Sequence, residues 1–188
     1  MKVKELIKIT ALTVGEEETV NYLEGKAVSD LASVKKNVDL LLRCYNLIAD
    51  ELSCEYLPLK TMETFTPENN RIYFSAFSKP PLKILNVYNE NMKKVPYKLI
   101  NDYIWTQKDC VTVEYNYRLS PLGEDDEANY ANGIIGPYTI AFGMASQFCL
   151  EKGRFNESEI YQEKYLLAIK SRIAQKGSLI IPARRWMG

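Results

Sequence analysis

Leu31, Val34, Val38, Leu41, Tyr45, Ile48 and Leu52 follow one another at spacings of three and four without a break. That is the period of an α-helix with a single apolar seam. Lys35, Lys36, Asp39 and Arg43 lie off the seam. The spacing predicts one long helix over about residues 28–53. A seam of this length must be covered, and packing on neighbouring helices accounts for it more simply than a coiled coil. The rest of the chain therefore has to supply those helices.

A shorter seam precedes it. Val3, Leu6, Ile7, Thr10, Ala11 and Val14 keep the same period up to Gly15, a natural helix stop. Glu16–Gly25 reads as an acidic connection. From Glu55 to Tyr117 the period changes to two. Thr61–Thr66 and Arg71–Phe77 flank Pro67-Glu-Asn-Asn70, a turn-forming cluster. Leu82–Tyr88, Val95–Ile100 and Tyr103–Thr106 follow as short strands, with Gln107-Lys-Asp109 as a hairpin turn. Val111, Val113, Tyr115 and Tyr117 then alternate with Thr112, Glu114 and Asn116, as in a half-buried strand. Pro80-Pro81 and Pro96 belong at strand breaks or edges. The middle third is thus expected to be one small antiparallel sheet of four to six strands.

Helical signals return after Glu124-Asp-Asp-Glu127, whose carboxylates suit the positive end of a helix dipole. Gly133, Gly136 and Pro137 interrupt or restart that helix. Ala141, Met144, Ala145 and Phe148 carry it to about Lys152, and Gly143 with Ala141 and Ala145 lets a neighbour approach closely. Asn156 and Glu159 form a capping pair for a last helix to about Gln175. That helix carries two stripes, Leu166–Ile169–Ile173 and Tyr161–Tyr165–Ala168, so more than one neighbour is expected to cover it. Helices and strands come in runs rather than alternating, which predicts an α+β fold. The predicted division is a helical domain of 1–54 and 124–176, with two N-terminal and two C-terminal helices. It carries an antiparallel β insertion over 55–123 and an extended tail over 177–188.

Chemistry narrows the functional classes. Lys plus Arg and Asp plus Glu number 24 each, so the formal charge is zero. A dedicated nucleic-acid binder normally carries a basic excess. There is no histidine, which removes the commonest general base and metal ligand. Cys44, Cys54, Cys110 and Cys149 form no C-x-x-C pair and read as scattered thiols in a reducing compartment. Phosphate loops, nucleophile elbows and dinucleotide fingerprints are all missing from the sequence. Glu124–Glu127 has the wrong spacing for a calcium loop. The reading is non-enzymatic, with no cofactor and no metal. Met1-Lys-Val-Lys-Glu-Leu places charges where a signal peptide needs its apolar core. Nor does an apolar run reach the about 20 residues of a membrane span.

The last segment, Gly177-Ser-Leu-Ile-Ile-Pro-Ala-Arg-Arg-Trp-Met-Gly188, cannot extend the helix because of Pro182. It is too short to form a core, yet it carries Leu179, Ile180, Ile181 and Trp186. Arg184 and Arg185 add residue types found at interface hot spots. The segment is expected to be disordered alone and to become ordered on a partner, since ordering costs about 1–2 kcal/mol per residue of backbone.

The opening Met1-Lys-Val-Lys-Glu-Leu-Ile with Val14-Gly15-Glu-Glu, and the long helix ending Tyr45-Asn-Leu-Ile-Ala-Asp-Glu-Leu52, resemble the head-to-tail adaptor proteins of short-tailed bacteriophages. These are also described as tail accessory, tail tubular or connector ring proteins. The strand Val111–Tyr117, the acidic link before Tyr130, the Ala141–Phe148 helix and the Tyr161–Ala174 helix with its tail extend the resemblance over nearly the whole chain. It is one of order and pattern, without an invariant motif. It implies a virion protein, assembled in the host cytoplasm into a ring homo-oligomer, a dodecamer, beneath the portal protein. The β-rich part would face the next tail protein, and DNA would pass through the lumen without sequence-specific binding. The resemblance makes Leu179, Ile180, Ile181, Pro182, Arg184, Arg185 and Trp186 the portal-docking residues. The alternative is a nucleic-acid-binding or regulatory α+β domain whose first helices contact DNA.

Overall fold

The computed structural model describes residues 1–130 and 135–176, with side chains described through residue 172. The fold is α+β. Among the described residues it has five α-helices and six strands in two antiparallel three-stranded sheets. The chain forms two compact units. One comprises Met1–Ile48 and the described residues from Leu122 on; the other is Ala49–Pro121.

Helix α1 spans Val3–Val14, and all six residues of its predicted seam are buried. It ends at Gly15, whose φ of 78° is the left-handed conformation that glycine adopts without penalty. It begins at Val3, as the seam predicts, but what holds that start comes from far along the chain. Val3 and Lys4 donate their N–H groups to the carbonyls of Asp126 and Glu124, at 3.0 and 2.8 Å. The α-ammonium of Met1 pairs with Glu127 at 2.8 Å. The acidic run thus does sit at a helix N-terminus, but that of α1. No helix begins at Glu124: the next one, α4, spans Pro137–Glu151, with Gly136 as N-cap and Pro137 in the first turn. Gly133 lies outside the described residues.

The acidic connection also needs correction. Glu17–Leu23 is a short helix, α2, with Thr19 and Val20 buried. Two turns are too few to show a period; its contact with α1 holds it. Helix α3 spans Leu31–Glu51 and continues into a π-helical turn, Leu52–Tyr56. It starts later than predicted because Asp30 caps it, its carboxylate accepting the Ser33 N–H at 3.0 Å. Leu31, the first helical residue, is exposed, whereas Val34, Val38, Leu41, Tyr45, Ile48 and Leu52 are buried.

Helix α5 spans Phe155–Lys176. Asn156 lies inside it rather than capping it. The first helical bond runs from Ser158 N–H to the Arg154 carbonyl, so Arg154 holds the cap position. Of the two predicted stripes, Tyr165 and Ile169 are buried, while Tyr161, Leu166 and Ala168 are half-buried at their flanks. The Ile173 side chain lies outside those described. Close packing centres on Gly143 of α4. A β-carbon there would lie 3.0 Å from Ile48 Cδ1 of α3 and 3.0 Å from Tyr165 Cε2 of α5. The small residue is what lets these helices meet.

In the other unit, β1 (Leu59–Phe65), β6 (Val111–Tyr117) and β3 (Pro81–Tyr88) form one sheet in the order β1-β6-β3. β2 (Arg71–Tyr73), β5 (Tyr103–Trp105) and β4 (Lys98–Ile100) form the second, in the order β2-β5-β4. The single sheet of the sequence reading is therefore two. The Pro67–Asn70 cluster is a corner between sheets, with Asn69 and Asn70 at positive φ. Gln107–Asp109 likewise passes from β5 to β6 without making a hairpin. Pro81 opens an edge strand, where its missing N–H costs no ladder bond. Both sheets share one core: Ile72 and Ile104 from the second, with Ile84, Val87, Val111, Val113 and Tyr115 from the first. Phe77 joins it, its ring 4.8 Å from Tyr115 and 4.6 Å from Phe65.

The Tyr115 hydroxyl donates to Glu63, which also accepts the Ser78 N–H at 3.0 Å. Burial, and then the Glu63 acceptor, push the Tyr115 phenol up to about 12. The native state thus holds this group neutral, whereas an unfolded tyrosine ionises near pH 10. Its contribution to stability is fully present below about pH 10 and is lost as pH rises toward 12. Urea titrations of the wild type across that window should show a falling midpoint, and Tyr115→Phe should flatten the fall. An unchanged slope in the variant would refute the assignment.

Candidate docking surfaces

The predicted docking residues Leu179, Ile180, Ile181, Pro182, Arg184, Arg185 and Trp186 lie outside the described residues. The structure does show how the helix that leads to them is anchored. At the start of α5, Arg154 donates to the Val14 carbonyl at 3.1 Å, meeting one of the unsatisfied acceptors at the end of α1. Its Nε donates to Glu157 at 2.7 Å. Glu16 lies 3.9 Å from the same guanidinium and accepts from Asn37 Nδ2 at 3.1 Å. Asn37, nearly buried, in turn accepts from Lys152 Nζ at 2.6 Å. A few residues on, the Tyr161 hydroxyl reaches the Thr13 carbonyl at 2.7 Å. Ser158 donates to the Ser146 carbonyl of α4 at 2.9 Å.

One chain of charge-assisted bonds therefore fixes the root of α5 against α1, α3 and α4. Hydrogen bonding to Arg154 holds the Glu157 carboxyl below the ordinary range. Sequence reasoning placed Glu16 in an acidic connection and missed this cluster, because its members come from four separate segments.

Large apolar side chains also reach solvent on this unit. Leu12, Leu47, Tyr138, Phe155, Ile160 and Leu167 are each more than half exposed. Ile160 and Leu167 are seven residues apart on α5 and so share one face of the helix. Leu47 lines a shallow groove of about 230 Å³ with Leu40, Cys44 and Gln147.

In the β unit, pairing places Arg71 opposite Trp105 and Lys98 opposite Trp105, with Tyr73 and Ile100 opposite Tyr103. Paired residues and those two apart lie on the same face. Arg71, Tyr73, Tyr103, Trp105, Lys98 and Ile100 therefore share one face of the second sheet. The other face turns Ile72 and Ile104 into the core. The Arg71 guanidinium sits 5.1 Å from the Tyr103 ring centre, and Lys98 Nζ 5.8 Å from that of Trp105. Both are within cation–π range. Beside this face runs a groove of about 430 Å³, lined by Val95, Pro96, Tyr97, Gln107 and Lys108 with Trp105.

The buried thiols, Cys44 and Cys149, do not point to a reactive site. Burial pushes Cys44 up to about 12, so it is a packing group at neutral pH. Among the described residues, no three His, Cys, Asp or Glu side chains are placed to hold a metal ion. No described helix is long and apolar enough to cross a membrane. In comparison with known proteins, no family model matches the chain, and none of the curated proteins is significantly similar to it.

Proposed function

We propose that this chain is a structural head-to-tail adaptor subunit, one copy in a ring that joins a phage portal to the tail and surrounds the DNA channel. The observation that carries the reading is the fold's division of labour. Among the described residues, α1, α2 and most of α3 go into one helical unit with α4 and α5, and a β unit is inserted between α3 and α4. That is the order the resemblance calls for: a helical bundle over 1–54 and 124–176, a β insertion over 55–123 and a docking tail over 177–188. The anchored root of α5 suits a helix that must present its C-terminal extension in a fixed direction. The exposed Ile160–Leu167 face and the apolar side chains around it suit association with neighbouring copies. Equal numbers of cationic and anionic side chains suit a conduit, since a strongly basic lumen would hold DNA and impede its passage.

In this reading the protein has no catalytic step and no cofactor. Its partners are itself, the portal and the next tail protein, and its place is the neck of the virion. Leu179, Ile180 and Ile181 bury apolar area on the portal, and Trp186 fills a pocket. Pro182 limits the freedom lost on docking. Arg184 and Arg185 pair with carboxylates at the rim.

Deleting 178–188 is expected to leave circular dichroism and melting temperature unchanged while abolishing co-elution with the cognate portal ring on size exclusion. A truncated chain that docks at full affinity would place the interface on the helices. A full-length chain that never co-elutes with the portal, at any salt concentration, would sink the adaptor reading itself.

A further inference from the structure

We propose that the outward face and free edge of the second sheet form a docking site for an extended acidic segment of another protein, added beside β4 as a fourth strand. This goes beyond the adaptor reading, because it concerns the β unit and does not depend on the tail.

Three observations carry it. The first is charge. The six side chains that share the face include two cations and no carboxylate, and Lys108 adds a third cation in the adjoining groove. Asp102 lies in the turn at one end, in reach of the Arg71 charge. The β unit as a whole has nine Lys and Arg against nine Asp and Glu between residues 49 and 121. The face is therefore a local concentration of cation on a neutral unit, complementary to an anionic partner.

The second is the edge. β4 pairs only with β5, and its other side has no strand among the described residues. The two-residue turn Asn101–Asp102 makes Ile100 and Tyr103 a hydrogen-bonded pair. Because bonded and non-bonded pairs alternate, the Leu99 N–H and C=O point away from β5, ready for another strand. Extended peptides use such edges, with main-chain bonds for affinity and alternate side chains for specificity.

The third is alternation. A strand laid on β4 would place every second side chain beside Lys98 and Ile100, where a carboxylate meets Lys98, with Lys108 in the adjoining groove. The intervening side chains would fall beside Leu99, which is 55% exposed and lacks cover. The partner segment is thus one in which acidic and apolar residues alternate. Tyr103 and Trp105 already have cations over their rings. The outward N–H and C=O of Leu99 pair with another polypeptide backbone, so a polypeptide fits better than a single-stranded nucleic acid.

The test uses the full chain and a blocked peptide of alternating valine and glutamate. A matching valine–lysine peptide and an oligothymidylate serve as comparisons. The glutamate peptide should bind and weaken with added salt, and it should slow amide exchange at Leu99. Charge reversal in K98E/K108E should lower its affinity by about tenfold or more, as for lost cross-interface charge pairs. Leu99→Pro removes the outward N–H and should weaken it separately. Circular dichroism would establish that each variant is folded, and should one not be, the Leu99 exchange readout on the wild type decides alone. Equal binding of the lysine peptide, or no change in Leu99 exchange, would overturn the proposal. So would binding of oligothymidylate in place of the peptide.

Discussion

Tyr45→Ala is expected to be among the most destabilising single changes in the helical unit. The Tyr45 side chain is fully buried on the seam of α3, among the largest buried side chains in the protein. Its hydroxyl accepts the Asn129 N–H at 2.9 Å. Removing a buried aromatic ring costs about 3–5 kcal/mol, depending on how far the site can collapse. Leaving the Asn129 N–H without a partner adds about 1–3 kcal/mol if water cannot reach it. The sum is a large part of the about 5–15 kcal/mol that holds a typical protein folded. Tyr45→Phe keeps the ring and loses only the acceptor, so it should show the second contribution alone. Urea denaturation followed by far-ultraviolet circular dichroism would separate the two. If Tyr45→Ala costs no more than Tyr45→Phe, the ring is not a packing element and the seam has been misread.

Gly143→Leu is the second large effect, and Gly143→Ala is its control. Alanine at 143 would gain about 1 kcal/mol of helix propensity over glycine. Against that, its β-carbon would press on Ile48 Cδ1 and on the Tyr165 ring, both 3.0 Å away. Side-chain ends can give by a few tenths of an ångström, so gain and squeeze should nearly cancel. Leucine has no such remedy. Its added carbons must displace Ile48 or the fully buried Tyr165, and overpacking of this kind costs about 1–3 kcal/mol or more. A melting series should therefore place Gly143→Ala near wild type and Gly143→Leu well below it. Equal melting temperatures for the two variants would mean that the helices are free to move apart.

Local order was legible in the residues because it depends on local spacing. The α1 seam, its stop at Gly15, the long seam of α3 and the alternation of β6 were each predicted and are each seen. In all four, one repeated contact surface imposes one period on neighbouring residues, so the pattern survives in the sequence. The same reasoning identified the small residues of α4, since close approach needs a missing side chain wherever the neighbour comes from.

Where the sequence misled, the deciding contact came from far along the chain. Glu124–Glu127 has the composition of a helix start, and only the fold reveals that the helix it serves begins at Val3. Glu17–Leu23 is too short to show a period and is helical through its packing on α1. Asn156 has capping chemistry, but the turn at Gly153, with φ of 73°, puts Arg154 at the cap instead. Four to six strands were expected and the predicted segments overlap all six, with Arg71–Phe77 and Val95–Ile100 drawn too long; their division into two sheets depends on which strands pair, and alternation carries no information about partners. The candidate surfaces divide in the same way. The tail stood out because Leu, Ile and Trp beside a proline, in a stretch with no helical period, are conspicuous without any structure. The cation–aromatic face did not, because Arg71, Lys98 and Trp105 come together only when β2, β4 and β5 pair in register. Periodicity thus showed most of the residues that face a core in the long elements, though not Thr19 and Val20 of α2, and tertiary pairing alone decided which of the remaining residues stand side by side.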